Sequence, residues 1–137
     1  MEDNENIKLL NHRDDDVAAQ IYSVFQASYK VEAALVNAED FPPLGRSAQD
    51  IALSPSQFWG QSGSGGLIGI IEVEQESTSL QLSSLATAPH QFRKGIGTNL
   101  LNYVLSTLDW QTAQVQTATA NLPAIGLYQK SGFTEQE

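Results

Sequence analysis

The sequence contains no cysteine in 137 residues. That excludes disulfide staples, a thiolate zinc site and a cysteine nucleophile. Its two histidines, His12 and His90, stand alone and give no metal-ligand spacing, so no metal is expected. His12 has no partner legible in the sequence, and His90 reads as an exposed loop residue. Apolar runs such as Leu67 to Val73 fall far short of the roughly 20 residues that span a bilayer. Met1 to Asn6 has neither a basic start nor an apolar core, so no secretory peptide is read there and a cytoplasmic location is expected. Positive charge is scarce as well. Seven Lys and Arg face sixteen Asp and Glu, for a net charge of −9. A polyanion repels nucleic acid and anionic membranes, so neither is expected as a partner.

What is present suffices for one core. Hydrophobic residues make up 41%, which suits a single domain over residues 1–137. The scarce cations are informative by position. Between Arg46 and Lys130 the only Lys or Arg are Arg93 and Lys94, set directly before Gly95 and Gly97. An acidic chain that places two cations in a glycine-rich turn is arranged to hold an anion there.

Periodicity orders the elements. Ile7 to Leu10 reads as a short strand. Asp14 to Asp16 supply N-cap candidates for a helix carrying Val17, Ile21, Val24 and Phe25 to about Tyr29 or beyond. Residues 37–50, with Phe41-Pro42-Pro43 and Gly45, read as a loop. Gln57 to Gln61, Leu67 to Gln75 and Leu80 to Thr87 read as strands in series, an antiparallel meander. Ile96, Leu100, Leu101, Val104, Leu105 and Leu108 recur at helical spacing, giving a helix from about Gly95 to Thr107. Ala113 to Ala120 reads as a strand. Pro123 opens a last helix and Gly132 caps it. The fold class is therefore mixed α/β (α+β), with a mostly antiparallel sheet flanked by helices.

Two segments carry chemistry. From Leu85 to Thr98 a strand ends, a loop turns, two glycines follow and a helix begins. The first N–H groups of a helix have no intrahelical partner and carry the positive end of its dipole, so a pyrophosphate can sit on them. A tight turn with no ligand remains the alternative. The segment is neither a Walker loop nor a dinucleotide fingerprint, which fails at Leu100. The second segment runs from Asn121 to Phe133. Asn121 stands where strand becomes helix and can cap or reach a ligand. Tyr128 carries a phenol that is protonated at neutral pH and can give a proton to a departing thiolate. A plain cap and a core aromatic are the alternatives.

Together the two segments resemble the GNAT family of N-acetyltransferases. The second matches that family's Asn-x-x-Ala-x-x-Leu-Tyr-x-Lys-x-Gly-Phe pattern at every fixed position. The first departs from its Arg/Gln-x-x-Gly-x-Gly/Ala loop at Phe92. The resemblance implies acetyl-CoA as co-substrate. Backbone groups of Leu85, Ala86 and Thr87 would pair with the pantetheine arm. The amides of Phe92, Arg93, Lys94, Gly95, Ile96, Gly97 and Thr98 would hold the pyrophosphate, and Asn121 would bond the pantetheine. Tyr128 would be the general acid in direct attack by an amine of a small molecule or peptide. The family's acceptor pocket falls near Tyr29, Glu32, Phe41, Pro42 and Pro43, with Glu32, Glu39 and Asp40 available to attract a cationic amine. The chain ends four residues after Phe133, so the last strand is expected to be short or missing, and the sheet edge this leaves would favour a homodimer.

The general base is open. Glu72 and Glu74 alternate with Ile68 and Ile70. Glu72, as a carboxylate among isoleucines, is a candidate base with a raised pKa, against a solvated sheet face. A non-catalytic acyl-CoA-binding module and a nucleotide-binding domain of another family are the rival functions.

Overall fold

A computed structural model describes residues 6–35, 45–63, 65–91, 95–115, 128–129 and 132–133. The order is β1 (Ile7–Leu9), α1 (Asp15–Leu35), α2 (Ala48–Leu53), β2 (Gln57–Gly63), β3 (Gly66–Glu76), β4 (Ser79–Thr87), α3 (Ile96–Thr107) and β5 (Thr112–Val115). A single turn of 3-10 helix, Pro89–Gln91, lies between β4 and α3. The five strands among the described residues form one sheet in chain order. β1 to β4 run antiparallel, and β5 returns through α3 to lie parallel to β4. The meander and the mixed, mostly antiparallel α/β sheet expected from the sequence are both found.

Local chemistry explains the helix starts. The Asp14 carbonyl accepts the first bond of α1, from the Ala18 N–H at 2.9 Å, while the Asp14 carboxylate accepts from the Asp16 N–H. Asp15 and Asp16 add negative charge to the first turn, where the dipole favours it. The loop expected over residues 37–50 is cut short by α2. Its cause is a capping box: the Ser47 hydroxyl accepts from the Asp50 N–H, and the Asp50 carboxylate accepts from the Ser47 N–H.

β3 is buried on both faces, because helices cover both sides of the sheet. Ile70 packs with Ile21, Phe25, Ile51 and Phe58 under α1 and α2. Ile71 and Val73 point the other way, onto Leu100, Leu101 and Val104 of α3. Leu100, Leu101 and Val104 are fully buried, and such side chains contribute about 1.5–3 kcal/mol each. His12, without a legible partner in the sequence, is buried here. Its ring lies 4.7 Å from that of Phe58, and its Nε2 donates to the Ser54 carbonyl at 2.8 Å. No helix among the described residues is long and apolar enough to cross a membrane.

The expected strand beyond Val115, as far as Ala120, and the start of the last helix at Pro123 lie outside the described residues, as do residues 134–137. The end of that helix is described. The Phe133 N–H donates to the Tyr128 carbonyl and the Gly132 N–H to the Gln129 carbonyl. This pair of bonds is a Schellman cap, as expected at Gly132.

Candidate active site

β4 changes character halfway along. Glu72 pairs with Ser84 and Val73 with Leu82, so Ser83 is an extra residue, a bulge in β4. A bulge bends its strand and breaks its ladder. On the other side of β4, β5 pairs from Ser79 to Leu82 among the described residues. Beyond the bulge, Ser84, Leu85, Ala86 and Thr87 pair with Glu72, Ile71, Ile70 and Gly69 of β3.

α3 starts close to the far end of β4. Gly95 is its N-cap, in the left-handed region at φ 79°, and no side chain caps the helix. A residue with a Cβ is strained there. The first helical bond runs from the Asn99 N–H to the Gly95 carbonyl, so the N–H groups of Ile96, Gly97 and Thr98 precede the ladder. Gly95 and Thr98 are exposed, Gly97 is half-buried, and the Ile96 side chain is buried, so Ile96 can offer only its amide. A strand end leading to an uncapped helix start suits an extended arm that ends in a pyrophosphate.

Gly69, unremarked in the sequence, sets this geometry. A Cβ there would stand 2.5 Å from Ile96 Cγ2 and 2.9 Å from Leu100 Cδ1. Only glycine lets the first turn of α3 come so near the sheet, and Gly69 is the register partner of Thr87. The sole sequence signal was a glycine inside an apolar strand, which often marks such a close approach.

Tyr128 packs on the α3-side cluster, as do Leu85, Val115 and Phe133. Its ring meets Phe133 edge-on at 5.9 Å. The candidate acid and Leu85 of β4 therefore pack on one cluster. Tyr29 is elsewhere: it is buried on the α1 side and stacked on Phe25 at 5.2 Å. Phe92, Arg93, Lys94, Asn121 and Phe41 lie outside the described residues, as do Glu39, Asp40, Pro42, Pro43 and the side chain of Glu32.

Glu72 requires a correction. It is buried at 3% exposure, so it lies on no solvated face. Its pKa is not raised either. Burial alone would push it up, but both carboxylate oxygens are met by Arg46, Nη1 at 2.7 Å and Nη2 at 2.9 Å, and Ser56 donates to Oε2. These bonds and the Arg46 charge outweigh desolvation and hold the carboxyl below its ordinary value. The matching effect is seen in Arg46, whose pKa is raised by its hydrogen bonds to Glu72. A carboxylate so engaged is a poor proton acceptor. Glu74, two residues on, is exposed and accepts from the Ser83 hydroxyl at 3.2 Å. Among the described residues no group of acidic residues and histidines could hold a metal ion.

Known proteins share this fold. Residues 54–135 match the model of the acetyltransferase (GNAT) domain. The UPF0157 protein YqkA of Bacillus subtilis is 34% identical over 132 residues, 96% of this chain, which spans 38% of that protein's length. Two solved structures have TM-scores of 0.76. The ribosomal-protein-S18-alanine N-acetyltransferase of Escherichia coli is 20% identical, with 96% of this chain and 78% of that one covered. The PaiA N-acetyltransferase of Thermoplasma acidophilum, solved with coenzyme A, is 17% identical, with 95% and 91% covered. An aminoglycoside acetyltransferase from a soil metagenome follows at TM-score 0.68 and 20% identity, with 96% and 92% covered. With the family model covering more than half of the sequence, this chain belongs to the GNAT acetyltransferase family.

Proposed function

We propose that the chain transfers an acetyl group from acetyl-CoA to a primary amine of a small molecule or peptide. The observation that carries this reading is the uncapped start of α3 beside the end of β4, past the Ser83 bulge. The residues fit the group. Backbone at Leu85 to Thr87 can pair with the amides of a pantetheine arm, and the amides of Ile96 to Thr98 can receive phosphate oxygens. Asn121 and the Phe92 to Lys94 segment are assigned to the same cofactor by their place in the sequence motifs. Acetyl-CoA would supply an acetyl thioester, whose carbonyl carbon a neutral amine attacks directly, displacing the CoA thiolate. The new C–N bond forms as the C–S bond breaks, and the amine's surplus proton leaves to water. Tyr128 then gives its phenolic proton to the thiolate and regains one from solvent. The relatives named for a ribosomal-protein alanine and for an aminoglycoside both suggest an amine acceptor.

Replacing Tyr128 by Phe keeps the ring contact with Phe133 and removes the acid. Turnover should fall by about a hundredfold or more, the usual scale of general-acid assistance, while acetyl-CoA affinity is retained. Steady-state kinetics across pH, with calorimetric binding alongside, checks this. Unchanged turnover at every pH would remove Tyr128 from the reaction.

A further inference from the structure

From Gly45 to Pro55 only Ile51 is buried, and Leu53 is 69% exposed. A six-residue helix with one buried side chain is too short to stand by itself. Side-chain hydrogen bonds fasten α2 to the fold, and they differ at its two ends. At the C-terminal end, His12 Nε2 donates to the Ser54 carbonyl and Arg13 Nη1 to the Ala52 carbonyl, each at 2.8 Å. Ser56 is buried, donates to Glu72 Oε2 and leads straight into β2. At the N-terminal end, the hold among the described residues is Arg46, which grips Glu72 with both terminal nitrogens. Glu72 itself is fixed in the middle of the sheet, between Phe58 of β2 and Ser84 of β4. The capping bonds between Ser47 and Asp50 lie inside the segment and travel with it.

We propose that residues 46–56 form a strap that opens and closes over the sheet as one unit, pivoting at Ser54 to Ser56, with Glu72 as its latch. A two-pronged guanidinium suits a latch, because angle as well as charge must match before it engages. Arg46 lies over the rings of Phe25 and Phe58, with Cζ 6.0 and 5.5 Å from their centroids, and its side chain is 26% exposed. The charge therefore leaves for water without crossing the core. Opening lifts Ile51 from Phe25 and Phe58. Burial pushes the Glu72 carboxyl up, but the bonds from Arg46 and Ser56 more than offset it, so the latch holds above the ordinary carboxyl value and releases as pH falls through the depressed one. The other charged or titratable groups around it are Tyr29 of α1, Asp50 of α2, and His12 and Arg13 of the loop between β1 and α1. His12 donates from Nε2 whether neutral or charged, so the pivot keeps that bond in acid. Asp50 loses its capping role when protonated and needs its own control. The inference concerns the chain's own motion and does not rest on the acetyltransferase reading.

Hydrogen exchange of the whole chain, read by mass spectrometry and corrected for intrinsic rates, tests this. In wild type at neutral pH, amides of the strap should be at least about tenfold less protected than those of β3 and α3, as befits a unit that opens below the global free energy. Glu72→Gln and Arg46→Met should each cost the strap about a further hundredfold, or all the protection it has, while β3 and α3 stay protected. As pH falls below the ordinary carboxyl value, protection of the strap should drop in wild type and in Asp50→Asn but stay level in Glu72→Gln. Strap amides that exchange no faster than those of β3 and α3 open only with the whole fold, which overturns the proposal. A strap that opens separately yet keeps its protection in both variants has no latch at Glu72, which overturns it too. Should neither variant fold, Arg46→Lys decides: it keeps the charge without the fork, and unchanged protection of the strap contradicts the proposal.

Discussion

Glu72 and Arg46 both lose hydration in the fold, and each regains a partner in the other. Because the folded pKa of Glu72 lies below its ordinary value, near 4.5, the ionised pair stabilises the fold fully above that value. The contribution is lost as pH falls from there through the depressed folded pKa. Thermal unfolding as a function of pH should show that acid loss in wild type and a flatter profile in Glu72→Gln. At neutral pH the same substitution should cost about 3 kcal/mol, the low end for breaking a buried pair, since Arg46 keeps some access to water. An equal acid loss in both proteins would show that Glu72 is not the group responsible. The pairing was not legible in the sequence. Twenty-six positions separate the two residues, and the local pattern shows only a glutamate among isoleucines. Such a residue reads as a solvated face or a base with a raised pKa until a helix covers it and a guanidinium arrives. Tyr128 is the opposite case, since its motif is contiguous and its place depends on a cap whose glycine can be read directly.

α3 and β4 depend on one contact between elements. Gly69→Val would press a branched side chain into Ile96 and Leu100 and push the first turn of α3 away from the sheet. Overpacking of this kind costs about 1–3 kcal/mol. The variant should melt at a lower temperature, and its acetyl-CoA affinity should fall by more than the fraction unfolded explains, because the displaced turn carries the Gly97 and Thr98 amides. Calorimetry on the folded variant checks this, and wild-type affinity would show that the close approach serves packing alone. The strands were legible because alternation and turn residues bound them: Leu67 to Gln75 was expected, and Gly66–Glu76 is found. α2 was not legible, although Ser47-x-x-Asp50 is a capping signal, because six residues are too few to show a period. The Ser83 bulge was hidden as well, since register belongs to a pair of strands and not to either one.

At the scale of the molecule, the sheet order, the two helical layers and the family motif all lead to one cradle. With a chain charge of −9, the proposed anion site depends on local geometry rather than on the overall field. Backbone amides and a helix dipole answer to shape as well as to charge, so the cradle should separate acetyl-CoA from other polyphosphates. The central claim is that the edge of β4 and the start of α3 bind acetyl-CoA. Isothermal titration of the purified protein with acetyl-CoA, with ATP and a Gly97→Glu variant as controls, tests it most directly. The account predicts a Kd near the micromolar range for acetyl-CoA, far weaker binding of ATP, and none of acetyl-CoA by the folded variant. Folded wild-type protein that binds no acetyl-CoA, or binds ATP equally well, would contradict it.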